Sequence, residues 1–257
     1  MAMELFQSLF DDERLVWLPR PPLAAAVADH LTLREAYQSL LATLVVPDRQ
    51  LAEVARHIPA DITVPVSVII SGGAGGLLAL AGRDLRGVTV ASAETALRDF
   101  DDLSGSAARI ASATSELESD IAVFVQLPYA PGWQSAIELI ESAGLYGKIA
   151  ADQTEPRNTA EQLSILIEAD LPFKITSQFS SGWLPVLSAV DALIDGASIA
   201  DAAEIMRADG TGQIAAGISD WDQATQFRVR HRVRRLGADR ISDVIKDCAA
   251  AEQREDS

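Results

Sequence analysis

Two lysines in the second half of the chain fall where strand alternation turns them inward. In the run Phe173 to Ser177, Phe173 and Ile175 suit one face, which leaves Lys174, Thr176 and Gln178 on the other. In Tyr146 to Ala151, Ile149 faces out and leaves Lys148, Ala150 and Asp152 inside. Gln126 takes the inward face of the run Ile121 to Leu127, whose Val123, Val125 and Leu127 face out. Burying an ammonium group is costly unless it is paired or neutral. Two close ammonium groups depress one pKa and supply the free amine that Schiff-base chemistry needs, with Asp152 as proton shuttle or charge partner. The expectation is a lyase or aldolase acting on a small anionic carbonyl compound through Lys174 or Lys148. The structural alternative is that each lysine forms an ion pair with Asp152 or Glu94. Lys148 also sits early in its strand, where inward residues serve stability.

A second group of residues suits an anion. Ser177 to Trp183 runs from a strand into a helix, and the hydroxyls of Ser180 and Ser181 with nearby backbone amides could hold a phosphate or carboxylate. The run Phe227 to Val233 alternates, with Arg228, Arg230, Arg232 and Arg234 in one phase, a bidentate resource for the same anion. The alternative makes the serines an ordinary helix cap and the arginines a solvated or partner-binding face.

These residues need strands to position them, and short β-rich runs alternate with helical patterns along the chain. The runs are Leu15 to Pro19, Leu44 to Pro47, Val64 to Ile70, Val88 to Ala91, Ile121 to Leu127, Tyr146 to Ala151, Phe173 to Ser177 and Phe227 to Val233. Helical patterns separate them, and Ile241 to Ala250 reads as a closing helix. Eight strand-then-helix units predict a single α/β domain over residues 1–257, an eight-stranded parallel (β/α)8 barrel with a frayed tail at 251–257. An open doubly wound sheet is the alternative. In a barrel, chemistry sits at the C-terminal ends of the strands.

The glycines at 72–76 follow a strand and open a helix, but a dinucleotide fingerprint begun at Gly73 would need glycine where Leu78 stands. A turn that lets strand and helix pack closely explains them better. No cofactor is expected. Cys248 is the sole cysteine and His30, His57 and His231 are scattered, so neither a disulfide nor a His- or Cys-rich metal site is expected.

The 257 residues carry 37 Asp and Glu against 21 Lys and Arg, a net charge of −16 that disfavours nucleic acid and anionic membrane as partners. No apolar run approaches the roughly 20 residues that cross a bilayer. The opening Met1 to Gln7 has no basic stretch followed by an apolar one. A cytoplasmic protein is expected, with a small anionic ligand and a homo-oligomeric or other protein partner open.

Leu9-Phe10-Asp11-Asp12, Leu44-Val45-Val46-Pro47, Gly147-Lys148-Ile149 and Pro172-Phe173-Lys174-Ile175-Thr176 together resemble an uncharacterised, largely actinobacterial protein family. The resemblance implies a barrel-like α/β fold and no established activity. Members carry an Arg-Thr-Gly-Gly-like run where Ala150-Ala151-Asp152-Gln153 stands, and paired histidines where Ser180-Ser181 stands. Both departures fall at the expected active end. A divergent, noncatalytic barrel that serves as partner subunit or small-ligand binder is therefore the alternative to the enzyme.

Overall fold

The computed structural model describes residues 3–83, 85–151, 155–177, 183–208 and 217–245. Eight parallel strands close into a barrel in sequence order. They are β1 (Phe10–Asp12), β2 (Leu41–Pro47), β3 (Val64–Ile69), β4 (Val88–Ala96), β5 (Ala122–Gln126), β6 (Tyr146–Ala150), β7 (Phe173–Ser177) and β8 (Val233–Ala238). Helices cover the outside. Those used below are α1 (Leu23–Tyr37), α2 (Gly73–Leu80), α3 (Trp183–Ile194) and α4 (Gln223–Arg232).

Alternation divides the apolar side chains. Leu44, Val46, Val66, Val68, Val123, Val125, Ile149, Phe173 and Ile175 belong to the continuous apolar core between strands and helices. Helix α3 adds Trp183, Leu187 and Val190, and Trp183 meets Phe6 and Phe10 edge-on at 5.7 and 5.3 Å. A Cβ on Gly76 would lie 2.4 Å from Ile70 Cγ2, so the glycine turn does let α2 sit close on the end of β3.

Two expected strands lie elsewhere. The first strand is Phe10–Asp12, and Leu15 to Pro19 forms the loop above it, with Leu18 79% exposed. Asp11-Asp12-Glu13 looks like loop composition, yet all three side chains are fully buried because the folded barrel supplies their partners. The second correction concerns Phe227 to Val233. Residues through Arg232 are helical, Asp222 caps α4 by accepting from the Thr225 N–H at 2.8 Å, and the strand begins at Val233. Gln226 and Val229, three apart, are buried while Phe227 is 73% exposed, which is helical rather than strand periodicity. Strand β8 closes on β1 with Phe10 opposite Leu236, Asp11 opposite Gly237 and Asp12 opposite Ala238.

Candidate active site

Barrel interiors are commonly filled by branched aliphatic side chains. Here a charged network occupies part of the interior. Lys148 stands opposite Lys174 in the β6–β7 register, and Lys174 stands opposite Arg235 of β8. A register shift between Phe173 and Lys174 produces that second pairing. On the other side, Asp11 lies opposite both Thr43 and Gly237, and Glu94 lies opposite Ile69 and Phe124.

Lys174 is the centre. Its Nζ donates to Asp11 Oδ2 at 2.7 Å and to Glu94 Oε1 at 2.8 Å. Glu13 Oε1 lies 3.0 Å away but outside hydrogen-bond geometry, so that contact is Coulombic. Lys148 donates to the other Glu94 oxygen, Oε2, at 2.5 Å. Hydroxyls hold the carboxylates in place: Ser67 donates to Glu94 Oε1 at 2.6 Å, Thr43 to Asp11 Oδ1 at 2.6 Å, and Thr176 to Glu13 Oε2. The Trp17 indole N–H also donates to Glu13 Oε2, at 3.0 Å. Gly237 makes room for this carboxylate.

The charges explain the protonation states. Burial alone would lower the Lys174 pKa, but Asp11, Glu94 and Glu13 outweigh it and hold the ammonium well above the ordinary lysine range. Burial alone would raise the Glu94 pKa, but Lys148 and Lys174 outweigh it and hold the carboxyl well below the ordinary range. The depressed amine expected of the lysine pair is therefore not Lys174. Three carboxylates face two ammonium groups, and Arg235 adds a third cation at the edge, its Nε 3.8 Å from Asp11 Oδ1. The Lys174 ammonium takes the central place that a cation would fill. Among the described residues, no group of His, Cys, Asp and Glu is arranged to hold a metal.

Thr176 joins this network through Glu13, and Gln126 ends β5 directly opposite Lys148. Asp152, Gln178, Ser180 and Ser181 lie outside the described residues. Arg228 and Arg230 do not reach the strand ends, because their segment is helix α4. Arg228 pairs with Asp191 at 2.7 Å and Asp195 at 2.5 Å on the outer layer. Arg230 donates to the carbonyls of Val233 and Gln7 at 2.7 and 3.2 Å, at the opposite end of the barrel. Burial, then the charges of Arg235 and Arg234, push its pKa down to about 10.

Sequence reasoning missed Asp11, Glu13, Thr43, Ser67, Trp17 and Arg235. Asp11 and Glu13 are two apart, the strand period, and that spacing was the available signal. Asp12, between them, faces the opposite way and accepts from Arg14 at 2.8 Å while pairing with His30 of α1 at 2.9 Å. No protein-family model matches the chain, and no curated protein shows significant similarity to it.

Proposed function

We propose that the barrel is a lyase or aldolase that forms a Schiff base between Lys148 and a small anionic carbonyl compound. The observation that carries this reading is the asymmetry around Glu94. Three carboxylates fix Lys174 as a cation, whereas Lys148 contacts one carboxylate oxygen among the described residues. An amine must be neutral to attack a carbonyl. Attack by Nζ gives a carbinolamine, and loss of water gives an iminium ion with the same single positive charge as the ammonium it replaces. Glu94 then pairs with the iminium as it paired with the ammonium. The iminium draws electrons from the neighbouring carbon, which lets a carbon–carbon bond break. Asp152 is the proposed proton shuttle, and Gln126, Thr176, Gln178, Ser180 and Ser181 the proposed substrate contacts.

One observation favours the opposing reading, a noncatalytic barrel that acts as a partner subunit or small-ligand binder. Both inward ammonium groups already have carboxylate partners, as a structural ion network would have. Membership of the actinobacterial family would add to that reading, since the departures at residues 150–153 and 180–181 begin at the last residue of β6 and beyond the end of β7.

Borohydride reduction in the presence of pyruvate or acetaldehyde separates the two. The enzyme reading expects a stable adduct that peptide mapping places on Lys148 and that Lys148→Met abolishes. An unlabelled Lys148, in protein whose surface lysines react normally, would leave the structural reading standing.

A further inference from the structure

The loops after β1 and β8 enclose a cleft of about 460 Å3 at the same end of the barrel as Glu13. That volume falls within the roughly 300–1,000 Å3 of small-molecule sites. Trp17, Pro19 and Pro21 supply apolar surface, and Arg14, Arg240 and Ser242 supply donors. We propose that this cleft binds a small monocarboxylate with a flat apolar body, a site separate from the chemistry proposed at Lys148.

Three features carry the assignment. The indole of Trp17 cannot swing freely, because its N–H is anchored on the buried Glu13 carboxylate at 3.0 Å. A fixed aromatic face is a preorganised platform for a planar ligand. Arg14 is held in the same way. Its Nε donates to Asp12 at 2.8 Å and its Nη1 to Asp29 at 3.2 Å, while Nη2 makes no hydrogen bond among the described residues. Arg240 is exposed and has no carboxylate within ion-pair distance among the described residues, in a chain whose net charge is −16. An exposed guanidinium in a cleft that an aromatic side chain also lines can recognise a carboxylate through paired N–H donors.

The cleft also sets an upper limit on ligand charge. Asp239 lines it, and Asp12 and Asp29 stand behind Arg14. A dianion such as phosphate meets three carboxylates where a monoanion can keep its single charge on Arg240. The site therefore selects one negative charge carried on an apolar body.

The test titrates the full-length protein with benzoate, with the neutral isostere benzamide and with inorganic phosphate, by calorimetry and by tryptophan fluorescence. Benzoate is expected to bind saturably, and benzamide and phosphate each about tenfold or more weakly, the loss of one charge-assisted pair. Arg240→Ala is expected to weaken benzoate by about the same factor without changing the thermal midpoint, since the side chain is exposed. Trp17→Phe is expected to remove the fluorescence change while heat of binding remains. Equal binding of benzoate and benzamide, phosphate binding tighter than benzoate, or Arg240→Ala binding benzoate as well as the parent protein would each overturn the proposal. Lys148→Met should bind benzoate unchanged, so failure of the Schiff-base reading and failure of this site are read independently.

Discussion

Gly237 and Glu13 share one volume in the barrel: a Cβ on Gly237 would lie 2.0 Å from Glu13 Oε1 and 2.3 Å from its Cδ. The Glu13 side chain is fully buried and tied to Thr176 and Trp17, so it has no open direction in which to retreat. Gly237→Ala should therefore cost about 2–4 kcal/mol, the scale of breaking a buried charge network. Urea denaturation checks it. Adding Glu13→Ala to Gly237→Ala should cost less than the sum of the single changes, because the clash disappears with the carboxylate.

Lys174→Met and Lys148→Met should differ in size. The first strands three carboxylates without their central cation and should cost about 3–5 kcal/mol or prevent folding. The second leaves Glu94 with Lys174 and Ser67 still bound, so its cost should be smaller. Equal destabilisation in urea melts would contradict the central role assigned to Lys174.

Stability should fall at both extremes of pH, for opposite reasons. The Glu94 pKa is depressed from its ordinary 4.5 on folding, so its contribution is complete above that value and is lost as acid drives the pH down toward the folded value. The Lys174 pKa is raised from its ordinary 10.5, so its contribution is complete below that value and is lost as the pH climbs toward the folded value. Between those limits neither group should change stability. Denaturation midpoints across the range test this, and Glu94→Gln should blunt the acid limb.

The helical assignment of Gln223–Arg232 makes a local prediction. Asp222→Ala removes the bond to the Thr225 N–H and should cost about 0.5–2 kcal/mol, as for other N-caps. Asp222→Ser should restore most of it. In a strand the same change would have almost no effect.

The alternation of Phe173 and Ile175 against Lys174 and Thr176, and the parallel pattern around Ile149, is a property of each strand alone. From it the sequence determined the order of βα units, the apolar outer faces and the inward direction of both lysines. It did not determine the ends of the barrel. Asp11-Asp12-Glu13 is polar at every position, and only the closed barrel makes those carboxylates compatible with burial. Arg228, Arg230 and Arg232 alternate as a strand would, yet the Asp222 cap and the buried pair Gln226 and Val229 settle the segment as helix. The partners of Lys174 were equally out of reach. Asp11 is 163 residues away and Glu94 is 80, and their meeting depends on how far each strand is shifted against the next. Local periodicity fixes which face a side chain takes, whereas the shifts at Phe10/Asp11, Val66/Ser67 and Phe173/Lys174 fix what it faces. Closure of the sheet adds those shifts together, and only then do three carboxylates and two ammonium groups share one interior.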